Sequence, residues 1–283
     1  MRMMAVAEMH IFVLYSSHFF ITMTNFLSFS TYLVVCCSLA GLISQTTASN
    51  PSLQIPPVDT IRPTENPSSS NPWKAGAKIS PKHIQKTGWE SFFISSSIDN
   101  DLFKRINNKS YKADCTIPLT DLRYLKVLHY NSNDEICLGE LICHKDISYD
   151  LIEIFKELFK AHYPIERMIL IDEYDAQDEA SMQDNNTSCF NFRRVAGTNI
   201  LSNHSTGHAI DINPQYNPYV KIRNGRTTIQ PKTGKAYINR FKSFPYKIEK
   251  NDLCYKLFKK HGFIWGGDWK SVKDFQHFEK KGN

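Results

Sequence analysis

No two cysteines in this 283-residue chain stand in a CxxC spacing. A thiolate zinc site or a redox dithiol of that kind is therefore excluded, and any metal chemistry falls to histidines and carboxylates. There is no glycine-rich phosphate loop and no internal repeat. Charge is scarce at one end only: Arg2 and Glu8 are the sole formally charged side chains of the first fifty residues. The chain as a whole is 41% hydrophobic and 22% charged, an ordinary globular composition that argues against disorder throughout.

The charge-poor end reads as an export signal over residues 1–48. An apolar run covers 26–43, with 32–42 as its hydrophobic region and Thr46, Thr47 and Ala48 as a small-x-small site, so cleavage is expected after Ala48. An earlier apolar patch over 11–23 makes Met23 a second candidate start. The alternative is an uncleaved anchor, because the combined apolar length suffices to span a bilayer. Cys36 loosely fits a lipoprotein site, but the bulky Val35 before it argues against lipidation. Residues 49–72 hold six of the thirteen prolines with many Ser and Asn, the composition of a tether. The remainder, 73–283, is one domain by size, expected in the periplasm or outside the cell with no membrane span once the signal is removed.

Five cysteines follow the signal: Cys115, Cys137, Cys143, Cys189 and Cys254. They cannot all pair within one chain, and one or two disulfides remain open without a connectivity. The net charge of +6 belongs wholly to the part after the signal, and residues 221–260 hold twelve Lys or Arg against Glu249 and Asp252. This is either a solvated lysine-rich surface or a basic face for an anionic polymer such as cell wall.

Residues 117–120 lead as a loop into an apolar segment, 121–130, ending as a strand, and 138–143 form its hairpin partner. Leu151, Ile154, Phe155, Leu158 and Phe159 recur at helical spacing within 150–162. After Pro164, residues 167–172 read as a short buried strand. The stretch 175–188 is too rich in Asp, Asn and Gln for a core element. Residues 209–213 alternate as a half-buried strand should, and 252–261 form a second amphipathic helix stopped by Gly262. The mixture predicts an α+β fold rather than a doubly wound sheet.

His204 and Asp211 stand seven residues apart with Gly207 between them, where the backbone can turn sharply. His277 is a third candidate ligand near the C-terminus. Two imidazoles and one carboxylate leave a tetrahedral zinc ion a free position for water, as a catalytic site requires. A carboxylate nearby can then take the proton of that water; Asp274, three residues before His277, is the choice, with Glu279 as competitor. Arg193 is placed to stabilise a developing oxyanion, but spacing does not separate it from Arg194.

Ser202, His204, Gly207, Ala209 and Asp211, with the later Asp274 and His277, meet the pattern S-x-H-x-x-G-x-A-x-D followed by D-x-x-H in full. In this the chain resembles the zinc D-alanyl-D-alanine carboxypeptidase family, which includes VanY-like enzymes and endolysin L-alanyl-D-glutamate peptidases. The resemblance spans residues 190–279. It implies one Zn2+ held by His204, Asp211 and His277, Asp274 as general base, and an arginine matching Arg193 beside the substrate carbonyl. It also implies the compact fold shared with hedgehog-type domains, a small antiparallel sheet flanked by helices.

The expected activity is hydrolysis of an amide in peptidoglycan stem peptides, with no nucleic-acid partner. Two bonds are open, the terminal D-Ala-D-Ala link and the internal L-Ala-D-Glu link. Residues 265–269, Trp-Gly-Gly-Asp-Trp, look endolysin-like and incline the reading to the internal bond. A zinc-bearing wall-binding module without turnover and a peptidase of exported polypeptides are the alternatives. His208 is expected to be a strand-edge side chain rather than a fourth ligand. Ser202 divides evenly between holding a ligand and a plain loop role, Trp265, Trp269 and Phe278 between cleft and core, and Asp268 between substrate contact and turn. Oligomeric state is not read from the sequence.

Overall fold

The computed structural model describes residues 73–195 and 197–282. The export signal over 1–48, the candidate start at Met23 and the tether over 49–72 lie outside the described residues.

Helix α1 (Pro81–Thr87) starts on Ser80, whose side chain accepts the His83 N–H, with proline in the first turn where its missing donor costs nothing. Strand β1 (Ile94–Ser96) and helix α2 (Asn100–Ile106), capped by Asp99, follow. The two longest strands, β2 (Leu122–Tyr130) and β3 (Ile136–His144), form the expected hairpin, with Leu122 opposite His144 and Tyr130 opposite Ile136. β1 completes this first antiparallel sheet. Helix α3 (Lys145–Lys160) packs on it through Ile147, Leu151, Ile154, Phe155 and Leu158. It begins five residues before the expected start. The His144 ring accepts the Asp146 N–H and so supplies the cap, while Ile147 carries the apolar stripe one turn back.

Two expectations fail in the next segment. Residues 167–172 are not a strand: only Arg167 makes a bridge, to Asn186. The backbone of Ile169 is satisfied by a side chain instead, since its N–H donates to Asn186 Oδ1 at 2.9 Å and its carbonyl accepts from Asn186 Nδ2 at 3.0 Å. The polar stretch 175–188 is also a core element. It contains helix α4 (Asp178–Gln183) and buries Ser181, Asn185, Asn186 and Thr187, which is tolerable because such side chains complete hydrogen bonds the backbone would otherwise lack.

Strand β4 (Ala209–Asp211) precedes a second hairpin, β5 (Tyr219–Arg223) and β6 (Arg226–Gln230). Helix α5 (Leu253–Lys260) is capped by Asp252 and followed by Gly262 at φ +83°, close to the span read from the sequence. The chain ends in β7 (Ile264–Trp265), β8 (Lys273–Asp274) and β9 (His277–Glu279). These form two more antiparallel sheets, β4-β9-β7 and β6-β5-β8. The fold is α+β as expected, with its strands divided among three small sheets. Phe258 of α5 stacks on Phe278 of β9 with ring centroids 4.3 Å apart, tying the second sheet to the helical core. Cys115, Cys137, Cys143, Cys189 and Cys254 are all free thiols. Among the described residues no helix is long and apolar enough to cross a membrane.

Candidate metal centre

The turn that carries His204 is built from its own backbone. Ser202 Oγ accepts the His204 N–H at 3.3 Å and opens a single 3-10 turn over Asn203–Thr206. Gly207 ends that turn at φ +72°, and a Cβ there would lie 2.6 Å from the backbone nitrogen of His144, so both the conformation and the close approach demand glycine. The chain then enters β4, where Asp211 stands directly opposite His277 of β9. Cross-strand neighbours share a face, which places the carboxylate beside the second imidazole.

His204, Asp211 and His277 are all buried, and their ligand atoms converge. His204 Nε2 lies 3.3 Å from His277 Nδ1 and 3.3 Å from Asp211 Oδ2, and His277 Nδ1 lies 3.0 Å from Asp211 Oδ1. Tetrahedral ligands about 2.1 Å from a zinc ion sit about 3.4 Å from one another, so the triad has close to the required edge lengths. The outward nitrogens are engaged as well. His204 Nδ1 faces the Cys189 carbonyl at 2.7 Å and His277 Nε2 faces Glu279 Oε2 at 3.1 Å. Protons on those two nitrogens leave the inward lone pairs free, the usual outer support of metal-binding imidazoles. The residues fit a zinc ion.

The electrostatics of the triad agree. Burial alone would raise the Asp211 carboxyl, but His204 and His277 outweigh it and hold it far below the usual carboxylate range. Burial likewise opposes charge on His277, yet hydrogen bonds to Asp211 and Glu279 raise it to about 10. Without a metal the pair is thus an ion pair whose cation is a proton. Such a pair is ready to exchange that proton for a metal cation.

Asp274 lies on β8, opposite Tyr219 of β5. Burial pushes its carboxyl up to about 7, with Asp211 adding to the rise and the two imidazoles opposing it. Its Oδ1 is shielded and has no hydrogen-bond partner. Gly266 makes the position available, since a Cβ there would come within 2.6 Å of the Asp274 carbonyl oxygen and 2.8 Å of its Cβ.

A cleft of about 470 Å³ opens over these groups, lined by His204, Asp211, His277 and Asp274 together with Arg193. Of the two arginines that spacing leaves open, Arg193 lines this cleft. Arg193 is half-buried in the cleft wall and pairs with Asp178 of α4 at 2.6 Å, whereas Arg194 turns away, exposed, to the carbonyl of Asn199. Trp269 also reaches the cleft, its ring 5.4 Å from that of His277. Trp265 and Phe278 are core residues, and Asp268 ends the 3-10 turn Gly266–Asp268, where it pairs with Lys250 at 3.2 Å and accepts the Tyr255 hydroxyl at 3.3 Å. Ser202 holds the His204 turn. Glu279 is engaged with His277 and Asn203, and the His277 hydrogen bond pulls its carboxyl down. His208 points to the opposite side of the turn, against His144.

Three contributors escaped the sequence reading. Cys189 acts through its carbonyl, which no side-chain pattern marks. Asp178 lies in the stretch 175–188, whose polarity argues against a core element. The β5–β6 hairpin, whose Tyr219, Lys221 and Gln230 form a cleft wall, is signalled by Asn224-Gly225, both at positive φ in the two-residue turn that joins its strands.

No curated protein and no solved structure matches the chain significantly. Residues 196–280 match the family model described as D-alanyl-D-alanine carboxypeptidase, a stretch that contains His204, Asp211, Asp274 and His277 but not Arg193. This part of the chain is therefore similar to the family its motifs resemble, and the match supports a hydrolytic peptidase.

Proposed function

We propose that the chain is an exported zinc peptidase that hydrolyses an amide bond in peptidoglycan stem peptides. The observation that carries this is the buried triad His204, Asp211 and His277, with facing atoms 3.0 to 3.3 Å apart, beneath a cleft that also holds the unpartnered oxygen of Asp274. Bound by the triad, a zinc ion supplies a Lewis acid that acidifies water and polarises a carbonyl.

The chain's own groups do the rest. Asp274 takes the proton of the attacking water at Oδ1 and returns it to the leaving amine nitrogen, a task for which its shielded, unpartnered oxygen over the triad is placed. Arg193, fixed by Asp178, presents positive charge to the oxygen on which negative charge develops. Glu279 and the Cys189 carbonyl keep the two imidazoles oriented.

The internal L-Ala-D-Glu bond is the preferred target over terminal D-Ala-D-Ala. Clamping a free terminal carboxylate calls for an uncommitted cation at the cleft floor. Among the described residues the Lys and Arg lining the cleft are Arg193, held by Asp178 and assigned to the reacting carbonyl, and Lys221, exposed on the hairpin. Incubation of the zinc-loaded protein with muropeptides, followed by mass spectrometry, tests both levels. Cleavage between L-Ala and D-Glu is expected; release of D-alanine alone overturns the bond preference, and absence of any hydrolysis with zinc bound favours a wall-binding module instead.

A further inference from the structure

His208 was expected to be an ordinary strand-edge side chain, and its surroundings are not ordinary. It leaves the Gly207 turn on the face opposite the cleft and stacks on His144, with ring centroids 4.1 Å apart. Asp146 joins the pair: its Oδ2 lies 3.4 Å from His144 Nδ1 and 3.8 Å from His208 Nε2. One ligand atom from each of the three side chains falls within 4.8 Å of the other two.

Two further observations separate this group from a chance surface cluster. His208 Nε2 is shielded from solvent and has no hydrogen-bond partner, while Nδ1 faces Thr206 Oγ1 at 3.0 Å. A proton on Nδ1 thus leaves the Nε2 lone pair bare, 3.8 Å from Asp146 Oδ2. The cations beside the site are already committed, Lys145 to Asp121 and Lys280 to Asp150, each at 2.7 Å. Among the described ion pairs Asp146 meets no Lys or Arg, only the two imidazoles.

We propose that His144, Asp146 and His208 form a second site for a divalent transition-metal ion. Two imidazole nitrogens and one carboxylate oxygen suit borderline ions such as Zn2+ and Co2+ rather than Ca2+ or Mg2+. The rings are largely buried while Asp146 keeps an edge in solvent, so an ion can enter and complete its shell with water.

This site is the weaker of the two. The positive end of the α3 dipole faces it, and the His144 lone pair must leave the Asp146 N–H that it now accepts at 3.2 Å. Its role is mechanical. His144 and Asp146 belong to the β3–α3 junction, and His208 stands four residues beyond the ligand His204, so an ion here fastens the ligand turn to the main sheet from behind.

Metal-stripped full-length protein dialysed against buffered Zn2+ is expected to hold two ions per chain by mass spectrometry of the metal. His208→Gln is expected to hold one, His204→Gln one, and the double variant none. A wild-type count of one that vanishes in His204→Gln, or a His208→Gln variant that still holds two, overturns the proposal. A single ion that survives in His204→Gln upholds this site and removes zinc from the first. Circular dichroism accompanies each variant, and where one does not fold, Co2+ titration of the wild type decides between two sequential saturations and one.

Discussion

Replacing Asp274 by asparagine sets function against stability, and the sign of each effect follows from one carboxyl. Burial raises that carboxyl from its ordinary 3.8 to about 7 in the ion-free fold. A raised carboxyl penalises the fold: the penalty is absent below the unfolded value and fully present above the folded one. By linkage it amounts to about 4 kcal/mol at pH 8 and about 1 kcal/mol at pH 4.5. Asp274 keeps some contact with solvent, so the recoverable part at pH 8 is about 2 to 3 kcal/mol. Asparagine has the same shape and no charge. Metal-stripped Asp274→Asn should therefore melt roughly 5 to 10 °C above wild type at pH 8, with most of the gain gone at pH 4.5. The zinc-loaded variant should retain its triad ion and lose hydrolysis by about 10² to 10⁴. Differential scanning calorimetry at the two pH values and a muropeptide assay measure both. A gain independent of pH, a loss of stability at pH 8, or activity within about tenfold of wild type would refute the placement of an ionising, desolvated base at this position.

Three further outcomes are expected. In the ion-free protein His277 is protonated up to about pH 10, and a ligating imidazole must be neutral, so zinc binding at pH 8 should release about one proton, read by calorimetry in buffers of different ionisation enthalpy. Glu279→Gln should weaken zinc binding about 10- to 100-fold while leaving the fold intact, since Glu279 Oε2 lies 3.1 Å from His277 Nε2; competition with a zinc chelator measures it. Arg193→Ala should lower kcat/KM by about 10², whereas Arg194→Ala, exposed and turned away, should leave it unchanged. Equal losses in the two arginine variants would contradict the cleft assignment.

Where the sequence was legible, local physics and tertiary physics agree. The stripe Leu151, Ile154, Phe155, Leu158 and Phe159 marks α3 because a helix at a sheet must bury one face, and the β2–β3 hairpin shows through its apolar run. The failures involve polar side chains that serve the backbone, close by at the start of α3 and seventeen residues away at Ile169. Histidine is an uncommon helix cap, so His144 concealed the start of α3. The run 167–172 has the hydrophobicity of a strand, but Asn186, seventeen residues on from Ile169, supplies the hydrogen bonds a neighbouring strand would have made. At the site, the ligand candidates were visible because metal chemistry restricts residue types, and Asp178 was not, because an arginine's fixing partner can come from anywhere in the fold.

The two motif spacings themselves have a structural cause. The seven-residue step from His204 to Asp211 is made of the last two residues of the 3-10 turn, one left-handed glycine, His208 and a three-residue strand. A longer or shorter turn would slide Asp211 out of register with His277, and a one-residue slip would send its carboxylate to the opposite face of the sheet. The three-residue step from Asp274 to His277 crosses between sheets: Asp274 is paired with β5 and His277 with β4. Asp274 and His277 are thus held by separate hydrogen-bond ladders, with Phe275 and Gln276 as the bridge. The position of Asp274 over the triad therefore depends on how the β5–β6–β8 sheet packs against its neighbour. In the proposed reaction, substrate lying along the hairpin wall of the cleft would act on that same sheet, and the hairpin would be the element through which binding reaches the Asp274 carboxyl.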